Sequence, residues 1–272
     1  MLVTRLPELK MGASASGDSV NMSENELPRH RDFLTARWAN LCMISYPVDQ
    51  EWLRALLPPG CVPDLRDGRA FVSLVAFDFL STRVMGISWP LHRNFPEVNL
   101  RFYVRHGDRR GVCFVREFVP KRVIATIARL LYNEPYRSAS MSSRTSETPD
   151  MIEVKHDLTL AGVTNRIRVI GNKPAVRPDS DSVEHFFKEH SWGFGTSRHG
   201  RLLSYQVDHP TWDVWPVKSY EIDWDWKGIY GPDWAFLASV EPWSVVLARG
   251  SDVRVFPKAL EAPEVTRRFS GA

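Results

Sequence analysis

The stretch Phe95-Pro96-Glu97-Val98-Asn99-Leu100-Arg101-Phe102-Tyr103-Val104 decides the fold class, because from Glu97 onward it alternates residue by residue. Val98, Leu100, Phe102 and Val104 fall on one side of an extended chain, and Glu97, Asn99, Arg101 and Tyr103 on the other. That is the period of a strand with one apolar and one polar face. Gly107-Asp108 then turns the chain into a second strand over 112–119. Pro120 suits the first turn of a helix, in which Val123, Ile124, Ile127, Ala128 and Leu131 form one apolar stripe ending before Pro135.

Upstream, residues 70–79 are apolar on both faces, as in a buried strand, and residues 49–57 read as a short helix stopped by Pro58-Pro59-Gly60. Downstream, strands are predicted over 136–143, 151–160, 166–171, 201–207, 213–222 and 244–248, with a helix over 182–190 among them. Many strands with few helices predict an α+β fold, mainly an antiparallel β-barrel or cone with flanking helices. Residues 1–31 are small, polar and without apolar period, and read as a flexible, dispensable leader. Residues 32–272 are expected to form a single domain.

The 43% hydrophobic and 25% charged fractions are those of a globular chain, and 272 residues suffice to bury a core without staples. Lys+Arg 35 against Asp+Glu 32 lacks the long-range field of a nucleic-acid binder. Cys42, Cys61 and Cys113 are odd in number and lack CxxC spacing, which fits buried thiols in a reducing compartment. With no secretory h-region and no run of roughly 18 apolar residues, the expected location is the cytoplasm, without a membrane partner.

The eight histidines do not sit with cysteines or acids at zinc-ligand spacing, and His185 with His190 is not an i, i+4 pair. No phosphate-cradling glycine loop or Gly-x-Ser-x-Gly elbow is present. Neither a metal nor a cofactor is expected. Homo-oligomerisation is left open.

The 95–104 stretch, followed by Gly111-Val112-Cys113-Phe114 and by Ala128-Arg129 before Pro135-Tyr136, resembles the signature of the YqjF-like uncharacterised conserved proteins. His209-Pro210-Thr211-Trp212 resembles that family's later His-Pro-x-Trp element, and the resemblance spans roughly residues 37–256. That family is similar in fold to the acetoacetate decarboxylase-like superfamily. In those decarboxylases a helix ending in Gly-Arg-Glu is followed by Gly-x-Pro-Lys-Lys. Here Pro135 stands at the motif's proline, counted from Arg129, and the next pair is Tyr136-Arg137; Leu130 and Asn133 replace the motif's glutamate and glycine. The resemblance thus implies that Tyr136 holds the place of the Schiff-base lysine, and a phenol cannot form an iminium. Lys121 also follows a proline and precedes a cation, but it opens the helix instead of following it.

The candidate catalytic pair is Glu97 and Tyr136. Asn99, Arg101, Tyr103, Arg129, Arg137 and His209 are candidate ligand-binding residues. The polar face of the strand either lines a barrel interior or faces solvent as an ordinary strand does. Arg129 lies opposite the apolar stripe of its helix, where it either faces water or reaches a cavity from the helix end. At most one of Tyr136 and Arg137 should face the pocket. His209 is either a ligand contact or a structural imidazole. Six of the ten tryptophans lie between Trp212 and Trp243, where they fill a core or stack a ligand.

The expected function is small-molecule binding without a Schiff-base lysine, the ligand being a small carboxylate or carbonyl compound. One alternative is a lyase, hydratase or isomerase in which Glu97 moves a proton and Tyr136 donates to an oxyanion. Another is an interaction module using the tryptophan-rich half.

Overall fold

The computed structural model describes residues 32–121 and 135–261. The leader, and the helix expected after Pro120 with its Arg129, lie outside the described residues.

In chain order the strands begin with β1 (Leu34–Val48), β2 (Val62–Pro63), β3 (Ala70–Val84), β4 (Phe95–His106) and β5 (Arg109–Val119), with helix α1 (Gln50–Arg54) after β1. They continue as β6 (Tyr136–Ser138), β7 (Ser140–Glu147), β8 (Met151–Leu160) and β9 (Val163–Asn172). Helix α2 (Val183–Lys188) precedes β10 (Trp192–Thr196), β11 (Leu202–Asp208), β12 (Val214–Trp215) and β13 (Val217–Asp223). Helix α3 (Trp226–Tyr230) and a 3-10 turn (Pro232–Ser239) lead into β14 (Ser244–Ala248), β15 (Asp252–Val255) and β16 (Ala259–Leu260).

Among the described residues, 7 strands close on themselves in the order β1-β3-β4-β5-β10-β11-β15 and back to β1. All neighbours are antiparallel except β5 and β10. The result is a closed barrel without free edges along that path. A separate sheet of order β13-β9-β8-β7 supplies a second layer.

Two layers explain why β1, β3 and β4 are buried on both faces. Ala70, Val72, Leu74 and Ala76 of β3 join Val98, Leu100, Phe102 and Val104 of β4 in an outer core, which also holds Ile152, Val154, Leu158, Ile167 and Val169 of the second sheet. Phe71, Val75, Phe77 and Phe79 point the other way and form an inner core with Leu41, Met43 and Phe187. The alternation of β4 therefore runs inside out: its apolar face looks outward onto a second sheet and its polar face looks into the barrel.

Two predicted strands are each divided. The segment 136–143 breaks at Ala139, where β6 pairs with β5 of the barrel and β7 pairs with β8 of the second sheet. The segment 213–222 breaks at Pro216, β12 pairing with β14 and β13 with β9. In both places the chain crosses between layers, which a local hydrophobic pattern does not register. The tryptophans Trp224, Trp226 and Trp234 are buried in the outer core, in keeping with packing.

Helix α2 starts at Ser182, whose hydroxyl accepts from the His185 amide at 3.1 Å as an N-cap. It sets Phe187 against Phe71 and Tyr103, with ring centroids 5.5 and 4.9 Å apart. No described helix is long and apolar enough to cross a membrane.

Candidate active site

The inner faces of the barrel strands enclose a cavity of about 510 Å³, a size suited to a small organic ligand. Most of its wall is aromatic or aliphatic. Trp38 meets Phe77 and Phe79 edge-on at 5.4 and 6.3 Å, and Leu41, Val75 and Phe95 line the same side.

Against this wall stands a cluster of polar groups centred on Glu97. Glu97 and Asn99, inward residues of β4, are only 3% and 2% exposed. Asn99 Nδ2 donates to Glu97 Oε1 at 3.1 Å, and the Tyr136 hydroxyl donates to Glu97 Oε2 at 3.2 Å. Tyr136 reaches this point because β6 runs parallel to β5 with Tyr136 opposite Glu117, which makes Glu117 a further neighbour of the phenol.

Glu117 faces inward because of a bulge. Val112 and Phe114 point into the inner core, so strict alternation would bring Arg116 in next. The register between β4 and β5 instead slips between Leu100 and Arg101. The extra residue shifts the phase: Arg116 lies against the Ile229 carbonyl and the Tyr230 ring, while Glu117 joins the cavity.

The cluster is electrostatically unusual. Burial pushes the Glu97 carboxyl up to about 7, although the hydrogen bonds from Asn99 and Tyr136 and the charge of Arg101 pull it back. Burial, reinforced by Glu117 and Glu97, holds the Tyr136 phenol well above its ordinary value, so it remains a donor. The site thus offers a carboxyl poised between its two forms beside a phenol that keeps its proton.

Arg101 also lines the cavity, its guanidinium 5.8 Å over the Tyr103 ring and 3.9 Å from Met43 Sδ. Among the described residues no carboxylate lies within ion-pair distance of it. Among the described residues, Asn99 Oδ1 and Arg101 Nε are buried without a hydrogen-bond partner. Buried polar atoms of this kind are ordinarily satisfied, which marks this part of the wall as unusual.

His209 lines the cavity and stacks on Trp212 with centroids 4.7 Å apart and planes 14° from parallel. Burial lowers its pKa to about 4, which leaves the imidazole neutral at physiological pH.

Two candidates need correction. Tyr103 does not line the cavity: it is 1% exposed and its hydroxyl donates to Ser73 Oγ at 2.6 Å, which makes it part of the packed inner core. Arg137 is exposed and absent from the cavity wall, because it alternates with the inward Tyr136. Lys121 also stays off the wall.

The sequence reading missed Glu117, Lys188 and His190, all of which line the cavity. His190 Nε2 lies 2.8 Å from Asp64 Oδ2, to which Arg110 Nε donates at 2.6 Å. Burial opposes the Asp64 charge, but the bonds from His190 and Arg110 hold its pKa below the ordinary value, so it accepts the imidazole proton. The adjacent charges Arg116-Glu117 within an otherwise apolar run were the available signal for Glu117. Nothing local linked Asp64 with His190.

The likeness to solved structures lies in the fold. An acetoacetate decarboxylase-like enzyme from Sphingomonas wittichii RW1 superposes with a TM-score of 0.59 at 16% identity, over 85% of this chain and 94% of that one. Acetoacetate decarboxylase from Legionella pneumophila subsp. pneumophila str. Philadelphia 1 gives 0.56 at 14% identity, over 93% and 98%. The enduracididine biosynthesis enzyme MppR, complexed with pyruvate, gives 0.56 at 15% identity, over 91% and 98%. In sequence, the chain is 27% identical over 177 residues to the uncharacterized protein YqjF of Bacillus subtilis (strain 168), covering 64% of this chain and 72% of that protein. Residues 35–252 match the model of the family DUF2071, described as "Uncharacterized conserved protein (COG2071)", and the chain belongs to that family.

Proposed function

We propose that this chain binds a largely apolar small molecule by its carbonyl oxygen, placed between the Tyr136 hydroxyl and the Glu97 carboxyl, without forming a Schiff base. The observation that carries this reading is the 3.2 Å contact between Tyr136 and Glu97 inside a cavity whose remaining wall is mostly apolar. Protonated Glu97 and Tyr136 are both donors, and a carbonyl oxygen accepts two bonds. Glu97 and Glu117 together disfavour a carboxylate at that end, whereas a ligand's own carboxylate would suit Arg101. A neighbour of the same fold is described as complexed with pyruvate, a 2-oxo acid, which is the same functional-group class.

The position after Pro135 is a phenol, and the lysine on the wall, Lys188, has its Nζ 2.5 Å from Glu189 Oε1. An ammonium held by a carboxylate is a poor nucleophile. Borohydride reduction with acetoacetate or pyruvate is therefore expected to add no mass at any lysine. A stable adduct mapped to Lys188 or Lys121 would overturn this part of the reading.

Binding is tested by calorimetric titration with a homologous series of methyl ketones. Affinity should rise with chain length, and Tyr136→Phe should weaken it by about tenfold, the worth of one buried hydrogen bond. No binding along the series, or equal binding by wild type and Tyr136→Phe, would refute the assignment.

One observation favours a second, enzymatic reading: a carboxyl brought to about 7 is matched to proton transfer at neutral pH. Glu97 would remove a proton from the carbon next to the ligand carbonyl while Tyr136 stabilises the enolate oxygen. Deuterium uptake at that carbon, measured by NMR and lost in Glu97→Gln, would support catalysis. Binding without exchange would leave a binding protein.

A further inference from the structure

The connection between β3 and β4 borders the mouth of the cavity. Met85, Ile87 and Trp89 line the cavity and are nevertheless 73%, 58% and 54% exposed, and Leu91 beside them is 84% exposed. Among the described residues these are the four most exposed large apolar side chains. A scattered surface leucine needs no explanation, but four such residues at alternate positions along one loop do.

The backbone makes the choice of residues more pointed. Val84 and Ile87 exchange amide–carbonyl hydrogen bonds, each 3.0 Å long, across a two-residue turn. Both central residues have positive φ, Met85 at 52° and Gly86 at 79°. Such a turn prefers asparagine followed by glycine. Leu91 likewise sits at 64°. At these positions asparagine or glycine would relieve backbone strain and remove exposed apolar surface together, so neither Met85 nor Leu91 serves the stability of the loop.

Charge identifies what covers the patch. No acidic residue lies between Asp78 and Glu97, while the exposed Arg83 and Arg93 flank the apolar tip and His92 lies between them. Among the described residues neither arginine has a carboxylate within ion-pair distance. A second copy of the same face would set these cations against themselves. An anionic lipid surface satisfies both halves of the patch. Its acyl boundary takes Met85, Ile87 and Leu91, its interfacial zone suits the indole of Trp89, and its phosphates meet the two arginines.

The geometry points to the 83–93 loop as a docking site for an anionic phospholipid bilayer, seating the cavity mouth on the membrane so that an apolar ligand passes between bilayer and barrel without crossing water. Such docking lies on the surface and needs no membrane-spanning helix. It is independent of how the ligand's polar end is held.

The test is co-sedimentation of the full chain with vesicles of phosphatidylcholine alone, or with roughly one-third phosphatidylserine. Binding is expected to the mixed vesicles and to weaken as salt rises. Combined Met85→Ser, Trp89→Ser and Leu91→Ser should weaken it about tenfold or more. Arg83→Glu with Arg93→Glu should weaken it by at least about fivefold per arginine. Quenching of tryptophan fluorescence by brominated acyl chains should be present in wild type and lost in Trp89→Phe.

All these side chains are exposed, so the variants should keep the wild-type circular dichroism, and Met85→Asn should not lower the melting temperature. Four results would each overturn the proposal. The first is no association with the mixed vesicles, and the second is association that the substitutions leave unchanged. The third is a dimer in solution that the apolar substitutions dissociate, which would assign the patch to a second copy. The last is binding seen only after residues 1–31 are removed, which would assign it to the leader.

Discussion

Gly250→Ala is expected to destabilise the chain by about 3–5 kcal/mol, measured by urea denaturation, and Gly250→Val to prevent folding. Gly250 lies in the turn between β14 and β15 at φ 73°, where any side chain costs roughly 1–2 kcal/mol. An added Cβ would also sit 2.2 Å from the Trp38 carbonyl oxygen, 2.6 Å from its carbon and 3.0 Å from the Ala39 nitrogen. These are backbone atoms and cannot rotate away. They belong to the point where β1 bulges, Asn40 standing at φ 53° and the register with β3 slipping between Ala39 and Cys42. The same point is where β1 changes partner, from β15 over Leu34 to Arg37 to β14 over Leu41 to Ser45. Pushing the turn outward would loosen both pairings and with them barrel closure. Gly200→Ala is the control, since Gly200 has φ 74° with nothing within 4 Å of an added Cβ. It should lose only the backbone contribution, about 1–2 kcal/mol. Equal losses at the two glycines would show that the contact with Trp38 carries no weight.

That bulge marks where sequence reading stops. The β4 alternation, the doubly apolar β3 and the strand-rich pattern are short-range features, and they sufficed for a mainly antiparallel barrel with few helices. Which strand pairs with which depends on contacts distant in sequence. The division of 136–143 at Ala139 and of 213–222 at Pro216 follows from a change of sheet, and each half keeps strand character throughout. No local period carries that information.

The candidate site divides the same way. Glu97, Asn99 and Arg101 were legible because a strand puts alternate residues on one face. Whether that face looked into a barrel or into water was settled by the second sheet, whose Val154, Leu158 and Val169 cover the apolar side. Tyr136 was legible from its spacing after Arg129 and Pro135, through the family resemblance. Glu117 was hidden by the β5 bulge, which reverses the phase that alternation assigns. Asp64 and His190 meet across a separation that no motif spans.

Glu97→Gln is expected to stabilise the chain at alkaline pH and to leave it nearly unchanged in mild acid. The folded-state carboxyl titrates at about 7 against 4.5 for the ordinary group. Between those values the folded chain keeps a proton that the unfolded chain has released, so wild-type stability falls as pH rises through that window. The interval corresponds to a loss on the order of 3 kcal/mol, complete above about pH 7 and absent below about pH 4.5. Glutamine has the same shape and does not ionise. Its oxygen still accepts from Asn99, and its amide faces the Tyr136 hydroxyl, which then accepts instead of donating. The variant should therefore have the higher melting temperature at pH 8, with the difference shrinking toward zero near pH 5. His190 and His209 also titrate within the cavity, but they are common to both proteins and largely cancel in the comparison. Parallel stability curves for wild type and Glu97→Gln from pH 5 to pH 8 would show that Glu97 titrates as an ordinary carboxylate, and its assignment as the proton-bearing group would fall.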